Sequence, residues 1–398
     1  MARTNLALIK KESLAHICSE IGVSPAFLAQ KTKLDEDRIL AWLNVEGNEL
    51  PSIAQAKTVA RILRIPFAGL YMEKDKIPTH HIPRLRNYRR MPAGIPVDDS
   101  ALNIAIADLI RARDFLFLTE VELGIERPPV SLPSIAQDAT PIEFAHAIRS
   151  FFAFDLSAQF RCKSPRQFYL YIRRKIEDKG IFVNSFMDID VDVVRGIAII
   201  GEGAPVIGIN SNDRPPAKSF SMIHELTHII KRQSALCNEM FSAFSAQQEE
   251  VFCNAVAGEA LVPMLALRSF LETNDMDTIT LDNVRSIAKR FCVSKEVVVR
   301  RLLDAGYLTQ EGYEGYVAEI RRIFEVEREA ERIARREGRG RSIPKSPART
   351  AADKNSSFTC RALLIGYGEG YFSKQEISGI LGMKEKHVPK FLSEVGKW

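Results

Sequence analysis

Apolar residues recur at helical spacing along most of this chain, and one stretch between residues 181 and 210 reads as strand instead. Between residues 12 and 70 the spacing predicts a bundle of short helices. Gly22-Val23-Ser24-Pro25 opens one that carries Phe27, Leu28 and Ala29. Leu34 to Leu43 makes the next, with Ile39, Leu40 and Trp42 apolar. Glu46 to Ser52 breaks the pattern, and Ile53 to Leu63 resumes it before Pro66. Short helices so arranged resemble a helix-turn-helix repressor module. Residues 71–99 are basic and broken by Pro78, Pro83 and Pro92, which predicts a solvated linker; the adjacent pair His80-His81 lacks metal-ligand spacing. Residues 100–123 read as one long helix, followed by a loop through Pro128-Pro129 and Pro133.

A second region opens at Thr140-Pro141-Ile142-Glu143, a capping box with Pro at the first helical position. Ser164-Pro165-Arg166-Gln167 repeats that logic before a helix from Phe168 to Lys179, which Gly180 can close in a left-handed conformation. Ile181-Phe182-Val183, Gly196 to Ile200 and Ala204 to Asn210 read as strands, the last two joined at Gly201-Glu202-Gly203. Pro205 donates no ladder hydrogen bond, so Ala204 to Asn210 is expected at a sheet edge, open to an extended peptide. Thr280 to Arg290 and Lys295 to Ala305, turned through Cys292-Val293-Ser294, predict another helix-turn-helix shape.

The chemistry sits between these patterns, in Ser221-Met222-Ile223-His224-Glu225-Leu226-Thr227-His228. Residues four apart share a helix face, so His224 and His228 can bind one metal ion. Glu225 can reach a water in the metal's open position and serve as general base. Zinc suits two imidazoles and a carboxylate. The metzincin pattern would need a third His at position 234, where this chain has Ser234. Downstream, Glu250, Cys253, Asn254 and Ala257 follow i, i+3, i+4, i+7 on one helical stripe. Glu250 is therefore the expected third ligand, and Glu249, about 100° around the helix, is the alternative.

Composition narrows the setting. The 398 residues suggest two to four domains, and 46% hydrophobic residues can bury a substantial core. The six cysteines are scattered without a Cys-x-x-Cys, as reduced thiols would be. No apolar run has membrane-spanning length, and the first residues are too short an apolar stretch for a signal peptide. A cytoplasmic protein that meets no membrane is expected. The net charge of +5 is too mild to argue for nucleic acid, and the basic run Arg335 to Arg341 reads first as a solvated tail.

These motifs resemble the ImmA/IrrE metallopeptidases, in the long form with an N-terminal repressor-like helix-turn-helix. Phe220 to His228 and Glu250-Val251-Phe252-Cys253-Asn254 through Val262-Pro263 carry the resemblance, which covers nearly the whole chain. Trp42 to Pro51, Gly306-Tyr307-Leu308 and Tyr367 to Pro389 are weaker pieces of it. It implies His224, His228 and Glu250 as zinc ligands and Glu225 as base, although the family usually has Gly where Thr227 stands. It further implies a bacterial or phage regulatory peptidase that cleaves a helix-turn-helix repressor; separately from the resemblance, nucleic acid is expected at most as an activator or weak ligand. The competing reading is a non-proteolytic, antitoxin-like DNA- or protein-binding regulator with a quiet peptidase core. The expected fold is α+β, a zincin-like core with a small mixed sheet and active-site helices, flanked by helical domains. Its expected division is 1–75, a repressor-like helix-turn-helix domain; 76–139, a basic linker and helical connector; and 140–265, the metallopeptidase core. A helix-turn-helix-like domain at 266–330, a charged linker at 331–357 and a helical unit at 358–398 complete it. The acidic start Asp35-Glu36-Asp37 of the candidate recognition helix would repel phosphates, so this unit is expected to dock protein rather than read DNA.

Overall fold

The apolar spacing folds as helices around two separate cores in a computed structural model, which describes residues 5–77, 98–200, 203–234, 243–276, 278–337 and 346–396. The expectations for His80-His81, most of the basic linker, the turn at Gly201-Glu202 and the basic run from 338 onward lie outside these residues. Chain contacts divide the protein into Met1–Phe117 with Phe186–Val193, and Leu118–Ser185 with Val194–Trp398.

The first unit holds α1 (Lys11–Ile21), α2 (Pro25–Thr32), α3 (Glu36–Leu43), α4 (Ile53–Ile62) and the first part of α5 (Ser100–Glu122). Trp42, Ile39, Leu28, Leu63 and Leu70 are buried together at its centre. Gly22 ends α1 at φ +71°, a conformation that favours glycine. Lys11 is buried, and its ammonium donates to the carbonyls of Ala41, Asn44 and Gly47 at 3.0, 3.1 and 2.8 Å. All three of its protons are thereby used at the C-terminal end of α3, where helix carbonyls lack partners. The acidic Glu36 and Asp37 stand exposed in the first turn of α3.

The second unit begins with α6 (Pro141–Phe151), whose capping box between Thr140 and Glu143 forms as expected. Then come α7 (Leu156–Arg161), α8 (Pro165–Glu177), β1 (Phe182–Phe186), β2 (Gly196–Ile199) and β3 (Val206–Asn210). Gly180 takes φ +79°, and a Cβ there would lie 2.7 Å from the Pro128 carbonyl oxygen. The small mixed sheet has the order β1-β3-β2, with β2 and β3 antiparallel and Gly196 opposite Ile209. The strand expected at the edge is thus the central one. Pro205 stands just before β3, where its missing N–H costs nothing, while its carbonyl accepts from the Phe182 amide at 2.9 Å. β2, with a single strand neighbour among the described residues, is an edge.

Helices α9 (Pro215–Ser234) and α10 (Ala243–Leu261) follow, with α9 packed on β2, β3, α8 and α10, and α10 also on α6. Next come α11 (Met264–Thr273), α12 (Leu281–Phe291), α13 (Lys295–Asp304) and α14 (Gln310–Arg336). Their apolar faces, through Val284, Ile287, Phe291, Leu302 and Ile320, enter the same core as Ile223 and Leu226 of α9. Residues of α11 to α14 therefore contribute to the same core as the sheet and α9. The last helices are α15 (Pro347–Lys354), α16 (Ser357–Gly368), α17 (Lys374–Leu381) and α18 (Val388–Val395). α14 and α15 occupy much of the stretch expected as linker, because Ala348, Ala351 and Ala352 make a buried stripe at i, i+3, i+4. No single described helix is long and apolar enough to cross a membrane.

Two polar networks hold this unit together. α10 ends against Pro263, and its final carbonyls are met by side chains from three other helices. Arg149 donates to Ala260 at 2.6 Å, Gln159 to Leu261 at 2.9 Å and Arg301 to Val262 at 3.1 Å. Arg301 also pairs with Glu259, whose other oxygen accepts from the Met264 amide at 3.0 Å. Elsewhere, Arg173 and Glu177 of α8 are buried as a pair at 3.3 Å. Glu177 accepts from Ser356 Oγ at 2.8 Å and the Ser357 amide at 3.1 Å, and Arg173 donates to the carbonyls of Asp353 and Asn355.

Candidate metal centre

α9 places His224 and His228 one turn apart on the face turned toward α10. Both imidazoles are buried, and their Nε2 atoms converge to 3.1 Å. From α10, Glu250 brings Oε2 within 3.3 Å of His224 Nε2 and Oε1 within 3.2 Å of His228 Nε2. The three residues named from helical spacing thus meet at one point. Ligands ~2.0–2.1 Å from a tetrahedral zinc lie about 3.3 Å from one another, so the observed separations suit that ion and the donor set suits its chemistry.

The charges around the site favour a cation. Burial works against a positive His228, but hydrogen bonds with Cys253, Glu249 and Glu250 outweigh it and push the imidazole up to about 12. Burial likewise opposes ionisation of Glu250, yet His224 and His228 hold its carboxyl well below the usual carboxylate range. Both shifts express one demand: acidic oxygens facing ring nitrogens need a positive charge between them, from protons or from a metal ion.

Glu225 lies one residue along from His224 and is 9% exposed, so the base candidate is sheltered but not sealed. It rests on the start of the edge strand. A Cβ on Gly196 would lie 2.6 Å from Glu225 Oε1 and 2.7 Å from its Cγ. Only glycine there leaves the carboxylate its present place. Thr227, standing where the resemblance leads one to expect Gly, is fully buried, and its hydroxyl donates to the Ile223 carbonyl at 2.8 Å. Its polar atom is satisfied within α9, so the exchange leaves no buried group unpaired.

Three residues around the site escaped the spacing argument or received another role in it. Glu249, the alternative ligand, lies on the opposite side of the His228 ring, with Oε1 3.1 Å from Nδ1. There it can hold the imidazole's second nitrogen and fix its tautomer. Cys253, grouped with Glu250 by the stripe, faces the same Nδ1 at 3.7 Å. The signal was present, since Glu249 and Cys253 stand four apart as the two histidines do. Gly196 gave no such signal, because the partner that requires it is 29 residues away in sequence. His224 Nδ1 is buried and meets no acceptor among the described residues.

Residues 176–303, from the end of α8 to the end of α13, match the family model of the peptidase M78, IrrE N-terminal-like domain. That span contains β1 to β3 and His224, Glu225, His228 and Glu250. The match is consistent with an ImmA/IrrE family metallopeptidase. No curated protein gives a match.

Proposed function

We propose that this chain is a zinc-dependent endopeptidase that cleaves a helix-turn-helix transcriptional repressor, and so switches on a stress or mobile-element regulon in the bacterial cytoplasm. The convergence of His224, His228 and Glu250 at 3.1–3.3 Å, within a domain matched to a peptidase family, carries this reading. His224, His228 and Glu250 would hold the zinc. Bound there, the ion supplies a Lewis acid that makes hydroxide available near neutrality, since zinc lowers the pKa of its water to about 7.

The chain's own residues do the rest. Glu225 takes the proton of the attacking water and returns it to the leaving amine, as a general acid–base must. Gly196 keeps that carboxylate in place. The edge of β2 that faces away from β3 has no strand paired with it among the described residues, and an extended peptide can add there as a further strand. This replaces the Ala204 to Asn210 strand as the substrate-holding element. The repressor as substrate rests on the sequence resemblance and on the protein-docking reading of the first unit.

The test is to incubate zinc-loaded full-length protein with the repressor encoded beside its gene. Wild type should cleave it, and Glu225→Gln should retain zinc while cleavage falls by roughly 10²–10⁴-fold. Intact repressor with wild-type protein, even with DNA or cell extract added, would move the reading to the non-proteolytic regulator.

A further inference from the structure

We propose that Glu249, Cys253 and the Nδ1 nitrogen of His228 form a second cation site, suited to a thiophilic divalent ion, on the far side of the His228 ring from the first. The inference rests on His228 giving its Nε2 nitrogen to the first centre. Nδ1 lies 3.1 Å from Glu249 Oε1 and 3.7 Å from Cys253 Sγ. One ligand atom from each of the three residues lies within 4.8 Å of the others. With zinc–sulfur at ~2.3 Å and zinc–nitrogen at ~2.0–2.1 Å, tetrahedral ligands stand about 3.6 Å apart for N and S and about 3.3 Å for N and O. Both observed separations are close to these.

The helices explain how one ring can serve two ions. Glu249 and Cys253 are one turn apart on α10, so they share a face as His224 and His228 share one on α9. Glu250, the next residue, points about 100° away and meets the other nitrogen. α10 therefore sets a carboxylate on each side of a single imidazole. Orienting His228 requires one acceptor at Nδ1, which Glu249 supplies. Glu249 alone suffices for that task, and the Cys253 thiol at 3.7 Å is a second, weaker partner that as a thiolate is a strong, soft ligand. A His/Glu/Cys set favours zinc or cadmium over magnesium or calcium, which prefer oxygen alone. Binding there displaces the proton of Cys253 Sγ and that of His228 Nδ1 to solvent. With both ions present, His228 would offer Nε2 to one and Nδ1 to the other, having given up both ring protons.

Cobalt(II) is the probe, because its bond to a thiolate gives a near-ultraviolet charge-transfer band. Metal-stripped full-length protein should bind two equivalents, and the band should grow with one of them. Cys253→Ser should lose the band and keep one equivalent. Glu249→Gln should weaken the band-forming equivalent, and His224→Ala should lose the other equivalent while keeping the band. A single equivalent at saturation in wild type, or a band that survives Cys253→Ser, overturns the second site. The peptidase reading fails separately: zinc protein of one equivalent that leaves the repressor whole refutes it whatever the cobalt band shows.

Discussion

Glu225 owes its place to a residue that has no side chain. A methyl group on Gly196 would lie 2.6 Å from the carboxylate oxygen and 2.7 Å from Cγ, so Glu225 would have to shift. Gly196→Ala is therefore expected to keep the metal and the fold, while kcat drops by roughly 10²-fold, the scale of a 1 Å misplacement in an active site. Zinc content and single-turnover cleavage measured on one preparation would check this; unchanged kcat would mean that Glu225 works from another position. The two acidic neighbours on α10 should separate as well. Glu250→Gln should abolish tight metal binding at the first centre, whereas Glu249→Gln should weaken it by about 10–100-fold, as loss of a partner to a ligand histidine does. A competitive chelator titration gives both numbers, and the reverse ranking would make Glu249 the ligand. The meeting of His224, His228 and Glu250 was legible because helical geometry fixes which residues share a face. The placing of Glu249, Cys253 and Gly196 was not, since it depends on how α9, α10 and β2 lie against one another, and spacing within one element says nothing of that.

At the level of the element, helix ends were read well and their tertiary partners were not. The capping box at Thr140 and Glu143 is local chemistry, and the structure forms it with the Thr140 amide 2.8 Å from Glu143 Oε2. Hydrogen bonds from the Thr140 backbone and side chain hold Glu143 below its ordinary value of 4.5. A carboxyl with a depressed folded value adds stability above its unfolded value, and this is lost as pH falls through the folded one. Wild type should thus melt slightly above Glu143→Gln near neutrality, and the gap should close in acid well below pH 4.5. A gap that persists there would assign the effect to something other than charge. The far end of α10 is different, because its carbonyls are met by Arg149, Gln159 and Arg301 from distant parts of the chain. Arg301→Met leaves Glu259 charged and buried without its partner, which is expected to cost about 3–5 kcal/mol in denaturant unfolding of the metal-loaded protein. The edge-strand expectation failed for a similar reason. Pro205 excludes itself from a ladder, but it stands outside β3, so the argument applied to the residue and not to the strand.

For the whole molecule, the α+β class followed from where the spacing changed from helical to strand-like. Buried apolar stripes in α12, α13 and α14 look alike whether they form their own core or join another, and here they join the core under α9. The first unit, with its own core around Trp42, should bind duplex DNA no better than non-specifically, on the order of 10⁻⁴ M or weaker at physiological salt. The exposed Glu36 and Asp37 at the start of α3 are the reason. Tight, sequence-selective binding by a fragment of residues 1–75 in a fluorescence titration would contradict this. The joint between α8 and the start of α16 carries a further consequence, one of timing. Glu177 and Ser357 are 180 positions apart, and a ribosome adding 5–20 residues per second takes roughly 10–35 s to travel from one to the other. His224, His228 and Glu250 have all been synthesised before Ser357 is added, while Arg173 and Glu177 still await the backbone that completes their shell. During synthesis the candidate centre can therefore assemble before α8, which packs on α9, is tied to the start of α16.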